Sequence, residues 1–249
     1  MAAVQPDIIA FQEIFWAGDC EGVPEDSRTG FFCEGWAPGE PTVVEAVLGS
    51  DYQIACHLGK PDKCLGVRTS FATIAGCDSA LCLDGLAGGE VEGCGSGSRV
   101  GRATLNRMDG DPLTLVSVHG SSGLSPDDQA CRVAQVAQVF DDLGDGRPAL
   151  HGASNLLLGD LNTDPGRMTE ADPSAAAWRD GAEEVGLRWI TSIDPEDTPT
   201  YSGLVSIDHV AADRLDGSCW HAGLDDEHAA VFEGTYFDHL PAVCTVKPR

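Results

Sequence analysis

The stretch "NLLLGDLNTDP", residues 155–165, sets a short apolar run directly against a group of carboxylates and an amide. A run of about four to eight apolar residues bounded by Gly, Asp and Asn is typical of a buried β-strand. Positions two apart on a strand share a face, so Asp160 and Asn162 would point toward the same ligand. The stretch therefore predicts a strand that delivers polar groups to the edge of a sheet.

The alternation of Asp160, Asn162 and Asp164 also resembles the beginning of an EF-hand calcium loop. That loop requires Gly at its sixth position and Glu at its twelfth. This chain has Pro165 and Ala171 there, so the calcium-loop interpretation fails.

Other apolar runs end in the same way. A single aspartate at the end of a strand is weak evidence of function, because Asp and Asn commonly form turns. In this chain several apolar runs have a carboxylate at or beside an end, and two runs have a histidine there. The residues at or beside the ends of these runs are Glu13, His119, Asp160, Asp208, Asp238 and His239. A sheet edge with this many carboxylates would repel itself without a cation. The pattern predicts a hard divalent cation with oxygen ligands, most simply Mg²⁺, with Mn²⁺ or Ca²⁺ as alternatives.

Composition limits the possible classes of protein. A chain of 249 residues that is 42% hydrophobic can bury one large core, and no linker or internal repeat divides it. We therefore predict one domain over 1–249, and a monomer. No stretch approaches the roughly 20 apolar residues of a membrane span. The net charge of −25 argues against tight nonspecific binding of nucleic acid. Positive charge gathers only between 60 and 107, at Lys60, Lys63, Arg68, Arg99, Arg102 and Arg107.

The chain has ten cysteines, an even number with short spacings, which indicates an oxidised, secreted or periplasmic protein. A zinc site would need paired Cys units, and only Cys77 and Cys82 come close. We predict the disulfides Cys56–Cys64, Cys77–Cys82 and Cys219–Cys244, although ten cysteines permit many other pairings. The start "MAAVQPDIIAF" does not resemble a signal peptide, so we expect that such a segment was removed or that the chain begins late.

Strands outnumber helices in the pattern of apolar residues. Predicted strands cover 7–11, 52–56, 65–74, 100–105, 113–118, 155–158, 204–211 and 240–246. Predicted helices cover 126–143, capped by Ser125, 42–49, and 174–186, capped by Ser174. Two packed sheets flanked by helices suit this irregular order better than a regular parallel α/β fold. The Gly-rich segment 76–98 is interpreted as a surface excursion. His57, His151, His209, His221 and His228 are interpreted as surface or turn residues.

Five segments together resemble the ordered motifs of the endonuclease/exonuclease/phosphatase superfamily. They are "PDIIAFQE" (6–13), "VSVHG" (116–120), "GDLNTDP" (159–165), "SIDHV" (206–210) and "FDHLPAV" (237–243). Each is modest alone, but they occur in family order across nearly the whole chain. The resemblance implies an α/β (α+β) fold, a four-layer αββα sandwich with two mixed β-sheets flanked by helices. It also implies metal-dependent cleavage of a phosphate ester.

The resemblance further implies a role for each matching residue. Glu13 resembles the metal-binding glutamate of the family, and His119 the histidine of deoxyribonuclease-like and sphingomyelinase-like branches. Asp160 and Asn162 resemble the pair that contacts the phosphate and the attacking water. Asp208 resembles the aspartate that orients the catalytic histidine, which His239 resembles. Asp238 resembles the preceding aspartate on the metal side.

Two departures from the family pattern stand out. Phe237 replaces the serine that usually precedes the terminal Asp-His pair, which affects local packing rather than chemistry. Family members also begin with a strand that ends in asparagine, followed by a helix, before the "PDIIAFQE" strand. Only five residues precede Pro6 here. We therefore expect the domain to be incomplete at its N-terminus, and less stable and less active than a form extended upstream.

The substrate remains open between nucleic acid and phospholipid. The chain lacks the "PAWCDR" stretch of inositol polyphosphate phosphatases, and abasic-site enzymes typically have an aromatic residue in place of His119. His119 and the predicted secretion favour deoxyribonuclease-like or sphingomyelinase-like relatives. Arg68 or Arg102 could contact phosphate, although solvated strand residues are commoner. The alternative from another class is a binding protein that retains the fold without the reaction.

Overall fold

The computed structural model describes residues 5–108, 110–223 and 238–249. Within these ranges the chain forms three α-helices and twelve strands, with 3-10 turns at Ala17–Gly22 and Glu25–Ser27. The helices are α1 (Val43–Leu48), α2 (Pro126–Phe140) and α3 (Pro173–Val185). The strands are β1 (Ile8–Phe11), β2 (Tyr52–His57), β3 (Lys60–Arg68), β4 (Ala72–Ile74), β5 (Leu81–Leu86), β6 (Val100–Arg107), β7 (Leu113–His119), β8 (Asn155–Asp160), β9 (Arg188–Trp189), β10 (Asp208–Ala212), β11 (Leu215–His221) and β12 (Ala242–Pro248). None of the described helices is long and apolar enough to cross a membrane.

The strands form two mixed sheets and a two-stranded ribbon. The first sheet has the order β1–β3–β2–β5, the second β4–β6–β7–β8–β10–β9, and the ribbon pairs β11 with β12. In the first sheet β2 and β5 are parallel, and in the second β7 and β8 are parallel, while the other pairs are antiparallel. The predicted pair of mixed sheets is therefore confirmed.

Three apolar clusters define the layers. Leu65, Leu115 and Leu156 belong to the core between the two large sheets. Helix α1 covers the outer face of the first sheet through Val44 and Leu48. Helices α2 and α3 cover the outer face of the second sheet, where Val136, Val139 and Trp178 pack against Val116, Val118 and Leu157. The sequence of layers is helix, sheet, sheet, helix, which confirms the predicted αββα sandwich.

The helix starts follow from capping chemistry. The Ser125 side chain accepts a hydrogen bond from the Asp128 N–H, and the Asp128 carboxylate accepts one from the Ser125 N–H, as predicted for the start of α2. The predicted Ser174 cap of α3 is wrong. Asp172 is the cap, and it accepts a hydrogen bond from the Ser174 N–H. Pro173 favours the first helical position, so the cap falls on the residue before it.

Several strand predictions need correction. The run at 65–74 divides into β3 and β4. The segment 76–98 contains β5, which pairs with β2 at the edge of the first sheet and is not simply a surface excursion. Strand β11 escaped prediction, because its sequence "LDGSCWH" has neither an apolar run nor strict alternation. Its pairing with β12 supplies the order that its own sequence does not indicate.

The prediction that His57 and His209 are surface or turn residues is wrong. His57 is fully buried, and its Nε2 atom lies 2.9 Å from Ser117 Oγ. His209 is also buried, and its Nδ1 atom lies 3.0 Å from Thr191 Oγ1. The Ser117 hydroxyl satisfies one ring nitrogen of His57, and Thr191 and the Ser206 carbonyl satisfy both ring nitrogens of His209, in place of hydrogen bonds to water.

Five cysteine pairs lie at bonding distance. The three predicted disulfides, Cys56–Cys64, Cys77–Cys82 and Cys219–Cys244, are among them. Cys20–Cys33 and Cys94–Cys131 complete the set, and no cysteine is free among the described residues. Five disulfides fit an oxidising environment.

Reduction is expected to lower the melting temperature by at least about 5 °C. Loss of a native disulfide commonly costs about 2–5 kcal/mol, and 1 kcal/mol corresponds to about 2–4 °C in a domain of this size. Calorimetry with and without dithiothreitol, after thiols are counted in the untreated protein, measures the effect. Ten reactive thiols before treatment, together with an unchanged melt, would refute the disulfides.

An apolar groove of about 610 Å³ runs between β1 and the ribbon. All of β1 lines one side of it, and most of β12 lines the other. Leu113, Leu156 and Leu158 from the second sheet line it as well. At one end the groove reaches Glu13, Asp160, Asp208, Asp238 and His239, which are the residues of the predicted site.

Candidate active site

Strand register brings three predicted site residues side by side. β8 lies between β7 and β10 in the second sheet. His119, the last residue of β7, is the partner of Asp160 at the end of β8, and Asp208 at the start of β10 is the partner of Asp160 on the other side. Antiparallel pairing of β8 and β10 places the end of one strand beside the start of the other. The sheet therefore gathers residues 119, 160 and 208 at one edge.

Two glycines permit this close approach of the chain. At Gly159 a side chain would place its Cβ 2.0 Å from the Val118 carbonyl oxygen, and the φ angle there is +142°. At Gly120 a Cβ would lie 2.3 Å from the Leu161 carbonyl oxygen. A larger residue at either position would force β7 and β8 apart where the site forms.

The centre of the site is a buried carboxylate. Asp160 is only 4% exposed. Burial, together with the nearby charges of Asp208 and Glu13, raises the pKa of Asp160 to about 8. One oxygen each from Asp160 and Asp208 and one ring nitrogen of His239 lie within 4.8 Å of one another. Without a cation, the site therefore favours a protonated Asp160 at neutral pH.

His239 is held by Asp208, as predicted. The His239 Nδ1 atom lies 2.9 Å from Asp208 Oδ2, and its ring packs 4.5 Å, between centroids, from that of Tyr201. Burial alone would lower the pKa of His239, but the hydrogen bond and charge of Asp208 and the charge of Asp160 outweigh it and raise the pKa to about 9. Tyr201 lies outside the named strands and forms an isolated β-bridge with His239, a contact that no local sequence pattern indicates.

His119 differs from His239, because burial is not outweighed by nearby carboxylates and the ring is neutral. Burial, reinforced by the positive charges of Lys63 and Arg99, lowers its pKa to about 2. Its Nε2 atom lies 3.6 Å from Glu13 Oε1 and 3.7 Å from Asp160 Oδ2, distances that are long for hydrogen bonds. A neutral imidazole beside two carboxylates can act as a hydrogen-bond donor or acceptor but not as a fixed cation.

Asn162 and Glu13 adopt strained backbone conformations at the site. Their φ angles are +52° and +58°, in the left-handed region that non-glycine residues rarely occupy. The Asn162 Nδ2 group donates to the Gly120 carbonyl and to Asp160 Oδ2, both at 3.0 Å. Such strain persists only where surrounding structure imposes it, and it is common at functional sites.

Asp164, the third acidic or amide residue of the opening motif, has a structural role. It is fully buried and accepts hydrogen bonds from the Ser206 N–H at 2.7 Å and from Arg167 Nη1 at 2.9 Å. These bonds fasten the loop after β8 to the segment before β10. Asp164 therefore stabilises the relative position of the segments that carry Asp160 and Asp208.

Three of the six basic residues between 60 and 107 form ion pairs with acidic partners. Lys63 is buried and lies 2.5 Å from Asp62, a placement that no local sequence pattern predicts. Arg68 pairs with Asp7, and Arg102 pairs with Asp145. These pairs reduce the positive charge that the cluster offers to a polyanion, and a contact of either arginine with phosphate stays a prediction.

Six of the seven predicted site residues lie close together. Asp160, Asp208 and His239 form the centre, and Glu13, His119 and Asn162 surround it. Asp238 is exposed, and it lines the groove beside them. The catalytic and metal-binding roles of all seven remain predictions.

The donor set fits a divalent cation. Asp160, Asp208 and Glu13 offer carboxylate oxygens, which Mg²⁺, Mn²⁺ and Ca²⁺ accept as ligands. Burial, followed by the charges of Asp208 and Glu13, raises the pKa of Asp160, and a bound cation would offset both effects. Glu13 and Asp160 are therefore candidate ligands, with Asp208 and Asp238 near them.

The fold is that of the endonuclease/exonuclease/phosphatase superfamily. An endonuclease/exonuclease/phosphatase from Beutenbergia cavernae DSM 12333 superposes with a TM-score of 0.56 at 17% identity, over 98% of this chain and 63% of that one. A 3′ phosphatase from Neisseria, bound to a product DNA hairpin, gives a TM-score of 0.55 at 15% identity, over 99% and 90%. An AP endonuclease from Archaeoglobus fulgidus gives a TM-score of 0.52 at 13% identity, over 96% of this chain and 88% of that one.

These neighbours are nucleases and phosphatases of one fold. No protein-family model matches the chain, and no curated protein matches it in sequence. Identities of this size establish the architecture alone, and a reaction can be inferred only from the residues of the site.

Proposed function

We propose that the protein is a divalent-metal-dependent phosphodiester hydrolase. The observation that carries this proposal is the Asp160–Asp208–His239 cluster, in which a histidine and two carboxylates lie within 4.8 Å of one another at the end of three segments. The roles follow the predicted assignments. His239, oriented by Asp208, accepts a proton from the attacking water. His119 donates a hydrogen bond to a phosphate oxygen, and Asn162 donates a second one when its Nδ2 group exchanges its bond to Asp160 for the phosphate.

Glu13 and Asp238 are the predicted ligands of the cation. To them we add Asp160, predicted to contact phosphate and water, because its carboxylate lies in the same cluster. When bound, the cation supplies positive charge that neutralises phosphate oxygens and lowers the pKa values of Asp160 and His239. His239 then becomes neutral near physiological pH and can accept the proton. The neutral His119, unlike a charged imidazolium, does not compete with the cation for the carboxylates.

A substrate panel tests the proposal. Bis-p-nitrophenyl phosphate, plasmid DNA and sphingomyelin vesicles are each incubated with Mg²⁺, and again with EDTA. We expect turnover of at least one substrate with Mg²⁺ and none above background with EDTA. Turnover that persists in EDTA would remove the metal-dependent mechanism.

The substrate is a nucleic acid or a phospholipid, and charge limits how it binds. The net charge of −25 and the paired Lys63, Arg68 and Arg102 leave few contacts for a phosphate backbone. Binding of DNA is therefore expected to be weak and sensitive to salt. The five disulfides support a secreted or periplasmic location.

The groove between β1 and β12 supports the hypothesis that the domain lacks a strand. Among the described residues, β1 pairs only with β3, and β12 pairs only with β11, so each presents a strand edge to the groove. A segment between such edges satisfies both rows of N–H and C=O groups only as an extended strand. Ile8 and Ala10 face the core while Ile9 packs toward α1, so an inserted strand would be covered on both faces. We propose that polypeptide upstream of Met1 supplies it.

Restoring the upstream coding sequence is expected to raise the melting temperature by at least about 5 °C. Burial of two Val-sized side chains contributes about 3–6 kcal/mol, and each kcal/mol shifts the melt by about 2–4 °C. Amide exchange should slow in both β1 and β12. If the extended protein melts at the same temperature and these strands exchange as before, the proposal is wrong.

The alternative function, a binding protein without catalysis, is favoured by the same groove. A missing strand beside Glu13 and His239 would leave the site incomplete. If neither 1–249 nor the extended protein hydrolyses any substrate of the panel with Mg²⁺, the binding function replaces the enzymatic one.

A further inference from the structure

A buried arginine on α2 contacts both loops that follow the candidate catalytic strands. Arg132 is only 1% exposed, which is rare for a charged side chain. Its Nη1 atom donates to the carbonyl oxygens of Ser121 at 2.6 Å and Gly123 at 2.8 Å. These residues lie in the loop directly after His119. The guanidinium therefore fixes the course of the chain as it leaves β7.

The other side of the same guanidinium reaches the loop after β8. Arg132 Nη2 donates to Asp172 Oδ2 at 2.7 Å, and Thr163 Oγ1 donates to the same carboxylate oxygen at 2.9 Å. Both Asp172 and Thr163 are fully buried. Thr163 follows Asn162, whose φ of +52° needs outside restraint. The ion pair thus connects the residue after Asn162 to the loop after His119.

A second residue of α2 and one contact between the two loops complete the arrangement. Gln135 lies about one turn after Arg132 on α2; its Oε1 accepts from the Ser121 N–H at 2.9 Å and its Nε2 donates to Ser121 Oγ at 2.7 Å. The Gly120 carbonyl accepts from Asn162 Nδ2 at 3.0 Å. The path from α2 to the amide of Asn162 is therefore continuous, through hydrogen bonds of ordinary length.

We propose that the Arg132–Asp172 ion pair positions Asn162 and His119 for the reaction, in addition to joining α2 to α3. Arg132 touches no part of the candidate site itself, so it is a positioning residue. A buried ion pair contributes little net stability relative to apolar residues, because desolvation offsets its attraction. Its hydrogen bonds to four residues, Ser121, Gly123, Thr163 and Ser174, fix geometry instead. Small displacements of positioned groups strongly reduce the rate of a reaction. This proposal rests on the proposed hydrolase activity.

Thr163→Val is the sharpest test, because it removes one hydrogen bond and keeps the shape of the side chain. Arg132→Lys is the second variant, because it keeps the charge but loses the planar fork that serves both loops. Asn155→Ala is the matched control. Asn155 is buried at the opposite end of β8, where its Nδ2 donates to Gly152 O at 2.9 Å and to Asp213 Oδ2 at 2.6 Å.

The readouts are kcat and KM with Mg²⁺ at a temperature below the onset of melting, and amide exchange in 120–123 and 161–164. We expect kcat to fall about 10-fold or more in Thr163→Val and Arg132→Lys with KM within about threefold. Amides in both loops should exchange faster. Asn155→Ala should lower the melting temperature with kcat and both loops unchanged.

Two results would overturn the proposal. One is kcat within twofold of the parent in both variants, with melting temperatures lowered as in Asn155→Ala, which would make the ion pair purely structural. The other is unchanged exchange in 120–123 and 161–164. Amide exchange does not need turnover, so an inactive parent protein would refute the hydrolase proposal while the exchange data still test the positioning role.

Discussion

Replacement of His239 by Ala is expected to reduce kcat for bis-p-nitrophenyl phosphate by about 10³-fold. General base catalysis by a positioned side chain contributes about 10²–10⁴-fold. His239 is the residue whose imidazole both contacts Asp208, at 2.9 Å, and lies within the carboxylate cluster. KM should change little, because the imidazole acts on water and not on the resting substrate. Steady-state kinetics at saturating Mg²⁺ measure the effect.

His151→Ala is the matched control for this substitution. His151 is exposed in the turn before β8, at the other end of that strand from Asp160. Its replacement should leave kcat within about twofold, since no part of the site depends on it. The kcat of Asp208→Asn should lie between those of His239→Ala and His151→Ala, because the ring of His239 remains but loses the carboxylate that orients it. If His239→Ala retains a tenth or more of the parent kcat, His239 is not the base.

The ends of strands were the most informative part of the sequence. Apolar runs that stop at His119, Asp160 and Asp208 follow a rule about buried strands and polar edges, and the structure places all three residues together. Their adjacency could not be obtained from spacing alone. It depends on β7 and β8 being parallel and on β10 returning antiparallel, an order that only the resemblance to a known fold implied.

Residues that depend on long-range pairing escaped prediction. Lys63 is buried because β3 lies between β1 and β2, and a lysine in "KPDKC" gives no local sign of this. Tyr201 contacts His239 from outside the named strands. The cap of α3 moved from Ser174 to Asp172 because local rules allow both, and Pro173 decides between them. Local sequence patterns predict well where helices and strands end, but they do not predict which other segments pack against them.

Mg²⁺ is expected to stabilise the protein more at pH 8.5 than at pH 5.5. The folded-state pKa of Asp160 is about 8, far above the value of about 3.9 in an unfolded chain. A group whose pKa is higher in the folded than in the unfolded state stabilises the fold fully at pH values below its unfolded-state pKa. This stabilisation is lost as the pH rises through the folded-state pKa. His239 has the same sign, with a folded pKa of about 9 against about 6.5 unfolded. The cation-free protein therefore loses stability between about pH 4 and 9.

The protons belong to the cluster as a whole, so the loss should appear as one broad pH dependence. At a concentration near 100 Kd, a ligand of the folded state contributes about 2.7 kcal/mol. For a domain of this size that corresponds to about 5–10 °C. Melting temperatures measured with Mg²⁺ and with EDTA across this pH range test the prediction. The difference between the two curves should grow as pH rises and the carboxylates lose their protons.

Asp160→Asn separates this mechanism from general screening of surface charge. The amide keeps the size of the side chain and removes the buried charge, so the variant should melt higher than the parent in EDTA at pH 8.5. It should also lose its response to Mg²⁺ and its turnover. Asp180→Asn, an exposed carboxylate on α3, should behave as the parent does. If Mg²⁺ stabilises all three proteins equally, its effect is screening of the net charge of −25, and the carboxylate cluster does not bind it.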